Sequence, residues 1–236
     1  MSLPQNVHVS SHPCLQAKLS LIRSESTTPR ETRGLVHDIA TILGVEAFAG
    51  LKLAKTGTDR TPLGVEYETQ GIDPADLALV PILRSGLGMV DALNDLLPTP
   101  VPVYHLGLFR EKATLQPVEY YNNLPFHRSE LSPASPASLN QGTNSAAASL
   151  AVLLDPVIAT GATAEAAIQL LRDWGVKKVI MLSVLASEDG VKRAAGTWAE
   201  GVEVWAGAID AGVNEKGMIV PGLGDIGDRL FVAIGK

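Results

Sequence analysis

Cysteine, aromatic residues and positive charge are all scarce in this sequence of 236 residues. The single cysteine, Cys14, rules out a disulfide within the chain and a metal site built from several cysteines. Acidic residues outnumber lysine and arginine, which leaves a formal net charge of −6 at pH 7. Broad, sequence-independent binding to nucleic acid needs a basic surface, so this function class is excluded. Any anionic ligand must therefore be held by a few local groups.

Several catalytic and membrane patterns are also missing. The sequence has no G-x-S-x-G elbow, no G-x-x-x-x-G-K-[ST] loop and no H-E-x-x-H helix. The histidines show no metal-ligand spacing; they are His8, His12, His37, His105 and His127. No apolar run approaches the roughly 18–20 residues of a membrane helix, and residues 1–11 lack the basic start and apolar core of a secretory signal. We therefore expect a soluble, cytoplasmic protein with no membrane or nucleic-acid partner.

Apolar runs that suit buried strands alternate with helical patterns along most of the chain. Strands are predicted at residues 77–83, 101–108, 152–155, 178–186 and 202–209. Helices are predicted at residues 28–48, 86–97, 164–174 and 187–199, the first of which opens with a capping box of Thr28 and Glu31. This alternation favours an α/β fold in one domain, residues 1–236, with a mostly parallel sheet covered by helices on both faces.

One segment, residues 125–149, breaks the alternation because it is rich in Ser, Pro, Ala and Asn and has no apolar period. Such a segment cannot bury enough surface to offset the entropy lost on ordering. Predicted strands lie on both sides of it. We therefore expect a disordered surface insertion within one domain, and not a linker between two.

Residues 152–163 predict a phosphate cradle. An apolar strand ends at Asp155, small residues and Gly161 turn the chain, and a helical pattern follows. The first N–H groups of a helix have no partner within it and carry partial positive charge, so a phosphate fits there. Asp155 at the strand end can accept hydrogen bonds from sugar hydroxyls. The alternative is an ordinary strand, turn and helix of an α/β sheet.

Residues 79–89 repeat this arrangement of strand, tight turn and helix start. Two such ends on neighbouring parallel strands open onto the same crevice. Arg84 at the turn can meet a pyrophosphate with its fork of donors, although a solvated arginine at a strand end is the simpler interpretation. In residues 107–121 a predicted hairpin carries Arg110 and Lys112 on its turn, where they can lie over a leaving group or simply face solvent.

Residues 222–227 match G-x-G-x-x-G, the pattern of dinucleotide-binding loops. That pattern must open a helix inside a strand-helix-strand unit, with an acidic residue about 20 positions further on. Only nine residues follow Gly227, and residues 229–235 suit a strand, so we reject the dinucleotide interpretation. A glycine-rich loop whose backbone N–H and C=O groups face a flat heterocycle fits better.

Taken together, residues 80–89, 107–121, 155–163 and 217–229 closely resemble uracil phosphoribosyltransferases. The combination of D-P-x-x-A-T-G with I-V-P-G-L-G-D-x-G-D-R is highly specific, and the resemblance covers nearly the whole chain apart from residues 125–149. It implies the type I phosphoribosyltransferase fold, with a projecting β-hairpin and a C-terminal hood that binds the base. It also implies the formation of UMP and pyrophosphate from uracil and phosphoribosyl pyrophosphate (PRPP) in pyrimidine salvage, with Mg²⁺.

The resemblance also assigns roles residue by residue. It implies that Arg84 and Arg110 contact the pyrophosphate of PRPP, and that Asp225 faces PRPP or its metal. The ribose and 5′-phosphate are expected on Asp155, Pro156, Val157, Ile158, Ala159, Thr160, Gly161, Ala162 and Thr163. Uracil is expected on Met218, Ile219, Gly224, Asp225 and Ile226, largely through the backbone. Arg110, Asp155 and Asp225 are the expected catalytic residues, and no side chain is expected to ligate the metal directly.

Two positions depart from the family pattern, since Met218 stands where many members have tyrosine and Ala162 where glycine or asparagine is usual. They leave open a non-catalytic descendant that senses nucleotides or serves as a partner subunit. A phosphoribosyltransferase for another base and an RNA-binding regulator are disfavoured by the hood sequence and the acidic balance. The family further implies a homo-oligomer, dimer or tetramer, and GTP activation in some members.

Overall fold

The computed structural model describes residues 2–111, 117–125 and 147–232. The helices in this part of the chain are α1 (Pro13–Ile22), α2 (Pro29–Phe48), α3 (Leu87–Leu96), α4 (Ala162–Trp174), α5 (Glu188–Thr197) and α6 (Ile226–Phe231). The strands are β1 (Val7–Val9), β2 (Lys52–Arg60), β3 (Glu66–Asp73), β4 (Leu77–Leu83), β5 (Leu106–Arg110), β6 (Pro117–Asn122), β7 (Leu150–Leu154), β8 (Val157–Ile158), β9 (Lys178–Ser187), β10 (Val202–Asp210), β11 (Gly212–Val213) and β12 (Ile219–Val220).

The central sheet has the strand order β1-β10-β9-β7-β4-β5-β6, and β8 pairs with β9 beside this path. Its strand pairs are parallel except for β5 and β6, which form the antiparallel hairpin predicted from residues 107–121. The mostly parallel sheet predicted from the alternating pattern is therefore confirmed, and so is the projecting hairpin.

Helices cover both faces of the sheet, because its strands are apolar on both sides. In β4, Ala78, Val80 and Ile82 belong to the core that contains α4 and α5. Leu77 and Leu79 of the same strand belong to the core that contains α1, α2 and α3. A strand that is buried on both faces has a continuous apolar sequence, and this is why these strands could be predicted.

Helix α2 shows how local sequence fixes an element. Thr28 accepts a hydrogen bond from the backbone N–H of Glu31, and the Glu31 carboxylate accepts one from the N–H of Thr28, which completes the predicted capping box. The helix then runs to Phe48, as predicted, and buries Val36, Ile39 and Leu43 among its apolar residues.

Two predicted strands differ from the structure. The strand expected at residues 101–108 shrinks to β5 and one bridge between Val103 and Leu79, since prolines at 100 and 102 have no N–H to donate. The strand expected from Arg229 is wrong, because residues 226–231 form helix α6. Asp225 caps this helix by accepting a hydrogen bond from the N–H of Asp228 at 3.0 Å.

The ends of the expected insertion are packed, while residues 126–146 lie outside the described residues. The Pro125 carbonyl accepts a hydrogen bond from the Trp174 indole at 2.8 Å. Ala148 is buried, and the Ser149 hydroxyl donates to Asp76 at 2.8 Å. Pro125, Ala148 and Ser149 therefore belong to the folded domain, and the expected disorder of residues 126–146 stays a prediction.

Strands β2 and β3 pair only with each other in the described part of the chain and form a separate antiparallel hairpin.

Within the described ranges, no helix combines the length and apolar character needed to cross a membrane.

Candidate functional site

A cavity of about 580 Å³ opens at the carboxyl edge of the sheet, where ligands bind in folds of this class. Four segments supply all of its lining except Leu185 of β9: the end of β4, the β5–β6 hairpin, the turn after β7 and the loop that leads into α6. Each of the four was predicted from the sequence as a separate candidate. The structure thus brings the predicted segments together at one site.

Asp155 lies at the carboxyl end of β7 and is 8% exposed. Its Oδ1 accepts a hydrogen bond from the Ser85 hydroxyl at 3.3 Å. Burial raises the pKa of this carboxyl to about 7, against the opposing effect of hydrogen bonds from the Val157 N–H and from Ser85. A carboxylate with such a pKa at a cavity wall is typical of a functional site.

The turn after Asp155 presents the amino end of α4 to the cavity. Gly161 is the N-cap residue in the left-handed conformation, φ 76°, and no side chain caps the helix. Thr160, Thr163 and Ala164 line the cavity at this end. The negative charge of Glu165 in the first turn is paired, since its carboxylate accepts a hydrogen bond from Arg193 at 2.7 Å. The helix end therefore keeps backbone donors for an anion.

Ser187, the last residue of β9, and Gly190 of α5 hold this turn in place, and sequence reasoning did not find them. The Ser187 hydroxyl donates to the Ala159 carbonyl and accepts from the Gly190 N–H at 2.9 Å. A Cβ on Gly190 would lie 2.2 Å from the Ala159 oxygen, and one on Gly161 would lie 2.5 Å from the Gly190 oxygen. Such close approach requires glycine at both positions. Ser187 at the start of a helical pattern was the only signal in the sequence.

Arg84 lines the cavity as predicted, but it also has partners in helix α6. The peptide bond between Leu83 and Arg84 is cis. The guanidinium Nη2 is 3.8 Å from Asp228 Oδ1, and its carbon lies 5.9 Å from the centre of the Phe231 ring. Phe231 was missed because residues 229–235 were expected to form a strand, and Asp228, within the predicted glycine-rich segment, was given no role. Their contacts link the turn after β4 to α6.

The β5–β6 hairpin supplies aromatic side chains to the cavity wall. Phe109 and Tyr120 line it, with their ring centres 6.0 Å apart. Arg110 ends β5, and the predicted contacts of its side chain lie outside the described part of the structure, as does Lys112. The expected role of Arg110 at a leaving group stays a prediction.

The C-terminal loop, residues 217–227, closes the cavity from the other side. Met218, Ile219 and every residue from 223 to 227 line it. Gly222 and Gly224 have φ values of 66° and 78°, which glycine adopts without strain. Asn214 fixes the start of the loop because its side-chain oxygen accepts the N–H of Met218 at 3.0 Å.

The loop is not a dinucleotide site. Strand β12, which precedes it, has two residues and pairs antiparallel with β11, outside the central sheet. A dinucleotide loop instead joins a strand of a parallel sheet to its crossover helix. The rejection made from the sequence agrees with this topology, although the expected strand after the loop is a helix.

A mostly parallel sheet, a buried carboxylate followed by a turn into an uncapped helix end, an antiparallel hairpin and a C-terminal loop (residues 217–227, the hood loop) over the same cavity define the chain as a type I phosphoribosyltransferase. A family model for uracil phosphoribosyltransferase matches residues 9–233. The chain belongs to the uracil phosphoribosyltransferase family.

Individual relatives agree with this assignment. The chain is 40% identical over 227 residues to a uracil phosphoribosyltransferase of Roseiflexus castenholzii, which covers 96% of this chain and 98% of the relative. It is 38% identical to a uracil phosphoribosyltransferase of a Thermoanaerobacter species, again with 96% and 98% covered. The solved structure of the AQ2163 protein from Aquifex aeolicus superposes with a TM-score of 0.81 at 29% identity, over 96% of this chain and 98% of that one.

Gly190→Ala should destabilise the protein and displace the turn at Ala159. The added methyl group would overlap the Ala159 carbonyl oxygen, and overpacking of this kind costs about 1–3 kcal/mol. Gly196→Ala is the matched control in the same helix, since its Cβ would meet nothing within 4 Å. That change should stabilise by about 0.5–1 kcal/mol. Urea unfolding of both variants measures the difference, and equal midpoints would contradict the tight packing of the turn.

Asp155→Asn should raise the stability of the ligand-free protein above neutral pH. An ordinary aspartate releases its proton near pH 3.8, whereas Asp155 in the folded protein does so near 7. The folded state therefore holds more protons in this window, and the wild-type free energy of unfolding falls as the pH rises through it. At pH 8 the variant should be more stable by on the order of 1–4 kcal/mol.

Calorimetric melting at pH 5, 6, 7 and 8 tests this. The difference in Tm between variant and wild type should shrink toward the acid end, where the wild-type carboxyl is protonated. A variant that melts below the wild type at pH 8 would show that the carboxylate is better stabilised than its burial indicates.

Proposed function

We propose that this protein transfers the phosphoribosyl group of PRPP to N1 of uracil, which gives UMP and pyrophosphate. The observation that carries the proposal is the convergence of four segments on one cavity. They supply an open helix end, a buried carboxylate, an arginine and a glycine-rich backbone. These groups match a phosphate, a ribose, a pyrophosphate and a flat base, and family membership supports the same assignment.

PRPP would be bound through its two charged ends, the 5′-phosphate and the pyrophosphate. Its 5′-phosphate would occupy the amino end of α4, where the backbone of residues 159–163 supplies donors. The ribose hydroxyls would then reach Asp155 at the end of β7. The pyrophosphate would reach Arg84, whose 3.8 Å contact with Asp228 is long enough to be exchanged for a phosphate oxygen. Arg110 would approach the same group from the hairpin.

Asp155 has a role in the chemical step as well as in binding. When the bond between the anomeric carbon and pyrophosphate breaks, positive charge develops on the ribose ring. A carboxylate beside the ring stabilises that charge, and it does so more strongly when water has little access to the carboxylate. The cost of keeping this group buried, seen in its raised pKa, is thus recovered in the transition state.

Magnesium carried by PRPP is part of the proposal. Among the described residues, no cluster of three or more His, Cys, Asp or Glu side chains could hold a metal ion. Asp225 is exposed at the cavity and keeps one oxygen on the Asp228 N–H, so it suits contact with a hydrated ion. Bound Mg²⁺ would neutralise charge that develops on the leaving pyrophosphate.

Uracil would be read by the backbone of Ile219 and of residues 224–226, with Met218 as a flexible wall beside the ring. The new bond joins N1 of uracil to the anomeric carbon as the pyrophosphate leaves, and the N1 proton is lost. We assign no general base. The aromatic side chains of Phe109 and Tyr120 on the hairpin would keep water from the reacting carbon.

The family likeness also suggests a homo-oligomer, a dimer or tetramer. The β2–β3 hairpin supports this because it leaves large apolar side chains in solvent, with Leu53 at 68% and Leu63 at 90% exposed. Exposed apolar groups on a projecting arm favour contact with another chain. Activation by GTP and a cytoplasmic location remain predictions.

Conversion of labelled uracil to UMP in the presence of PRPP and Mg²⁺ tests the proposed function directly. Asp155→Asn serves as the comparison, since it is nearly isosteric but lacks the charge. Loss of one such electrostatic contact typically costs about 10²–10³ in rate. Absence of UMP with the wild type would overturn the function, and an unchanged kcat/KM for PRPP in the variant would overturn the role of Asp155.

Base choice tests the backbone readout separately. Uracil presents O4 and N3–H to the loop, whereas cytosine presents an amino group and an acceptor, so like groups would face each other. A site with unpaired buried polar groups rejects an analogue by roughly 10⁴–10⁵. 5-Fluorouracil leaves this edge intact and should be accepted. Comparable turnover of cytosine and uracil would exclude readout by the loop.

A further inference from the structure

Three backbone groups in the middle of the hood loop, residues 217–227, are held by side chains from α6, from the end of β10 and from the residue after α1. The Gly222 N–H donates to Asp210 Oδ2 at 2.9 Å, and the Gly222 carbonyl accepts from Arg23 at 2.8 Å. The next carbonyl, of Leu223, accepts from Arg229 at 2.7 Å. The loop is thus fixed at Gly222 and Leu223, immediately before residues 224–226, which line the cavity.

The side chains that hold the loop also hold each other. Arg23 grips both oxygens of Asp210, with distances of 2.8 and 2.7 Å. Such a two-pronged pair fixes direction as well as distance. Asp210 is the last residue of β10, which pairs with β9 along nearly its whole length. The loop is therefore tied to the rigid sheet.

The pair is partly withdrawn from water, since the side chains of Arg23 and Asp210 are 25% and 8% exposed. The Arg23 guanidinium holds the pKa of Asp210 below its ordinary value, with a further contribution from the Gly222 N–H. Asp210 therefore stays ionised at neutral pH, and the contacts are not in competition with a proton.

A loop of this sequence needs such support. Gly222 and Gly224 both have positive φ and no side chain to pack, so the loop has little rigidity of its own. Recognition by backbone groups depends on their position, and displacement by about 1 Å can cost a factor of 10².

We propose that Arg23 and Asp210 are positioning residues for base binding, because they clamp Gly222 and thereby set the backbone that reads the base. This inference rests on the proposed function. Neither side chain lines the cavity. Their effect would pass through Gly222 to residues 224–226, while the phosphate turn at the other wall would stay in place.

Arg23→Lys is the sharpest test, since lysine keeps the charge but lacks the planar fork of donors that fixes the directions of two carboxylate oxygens and a carbonyl. We expect the KM for uracil to rise by about tenfold or more, while the KM for PRPP changes by less than about twofold. Discrimination against cytosine should weaken in parallel. A merely structural role would lower the Tm without this split.

Asp38→Asn is the matched control. It removes the Lys18–Asp38 ion pair, a 2.6 Å contact between α2 and α1, the helix that ends just before Arg23. Neither Lys18 nor Asp38 lines the cavity. Its KM values should equal those of the wild type. If Arg23→Lys fails to fold, Asp210→Asn replaces it, since the amide oxygen can still accept while the charge is lost.

The outcomes separate the two hypotheses. A wild type that forms no UMP overturns the proposed function and the clamp's role with it. An active wild type whose folded clamp variants keep its KM for uracil overturns the clamp alone. A selective rise in the KM for uracil, absent in Asp38→Asn, supports both.

Discussion

A carboxylate buried at the carboxyl edge of the sheet is the constraint on which the rest of the site depends. Asp155 follows β7, which lies between β4 and β9, so its side chain emerges where the sheet is best covered. There it is desolvated, with one hydroxyl and one N–H to offset the loss of water. Its raised pKa indicates that the ionised form is unfavourable there, as is common where activity needs such a group in a fixed place.

Around that carboxylate, several side chains hold stretches of backbone that face the cavity. Ser187 at the end of β9 fixes the Ala159 carbonyl, and Asn214 fixes the start of the hood loop. Glycines at 161, 190 and 222 allow the close approaches that this arrangement requires. A backbone surface offers only N–H and C=O groups, so what it recognises depends on where those groups lie. The precision of the site therefore depends on the side chains that hold the backbone in place.

The elements that could be predicted from the sequence are those with a local cause. The apolar run of β4, the capping box of α2 and the turn after Asp155 each carry their signal within about a dozen residues. The four cavity segments were found for the same reason. A local pattern does not show which of their side chains are in contact, because the partners are far apart in sequence.

The wrong and missed predictions show what a local sequence pattern does not contain. Phe231 and Val232 favour a strand by propensity, yet the Asp225 cap and the contacts of Arg229 with Ile22 and Leu223 give a helix. Arg23 and Gly222 are separated by 199 positions, and nothing near either residue announces the other. Tertiary contacts decided both cases.

The C-terminal loop and helix α6 meet the chain at the end of α1, since Arg23 donates to the Gly222 carbonyl and Arg229 donates to the carbonyls of Ile22 and Ser24. The sheet and the turn after Asp155 are complete once residue 210 has been made, whereas the loop of residues 217–227 follows it. During synthesis a nascent chain would thus form the Asp155 side of the cavity before the loop that docks onto Arg23.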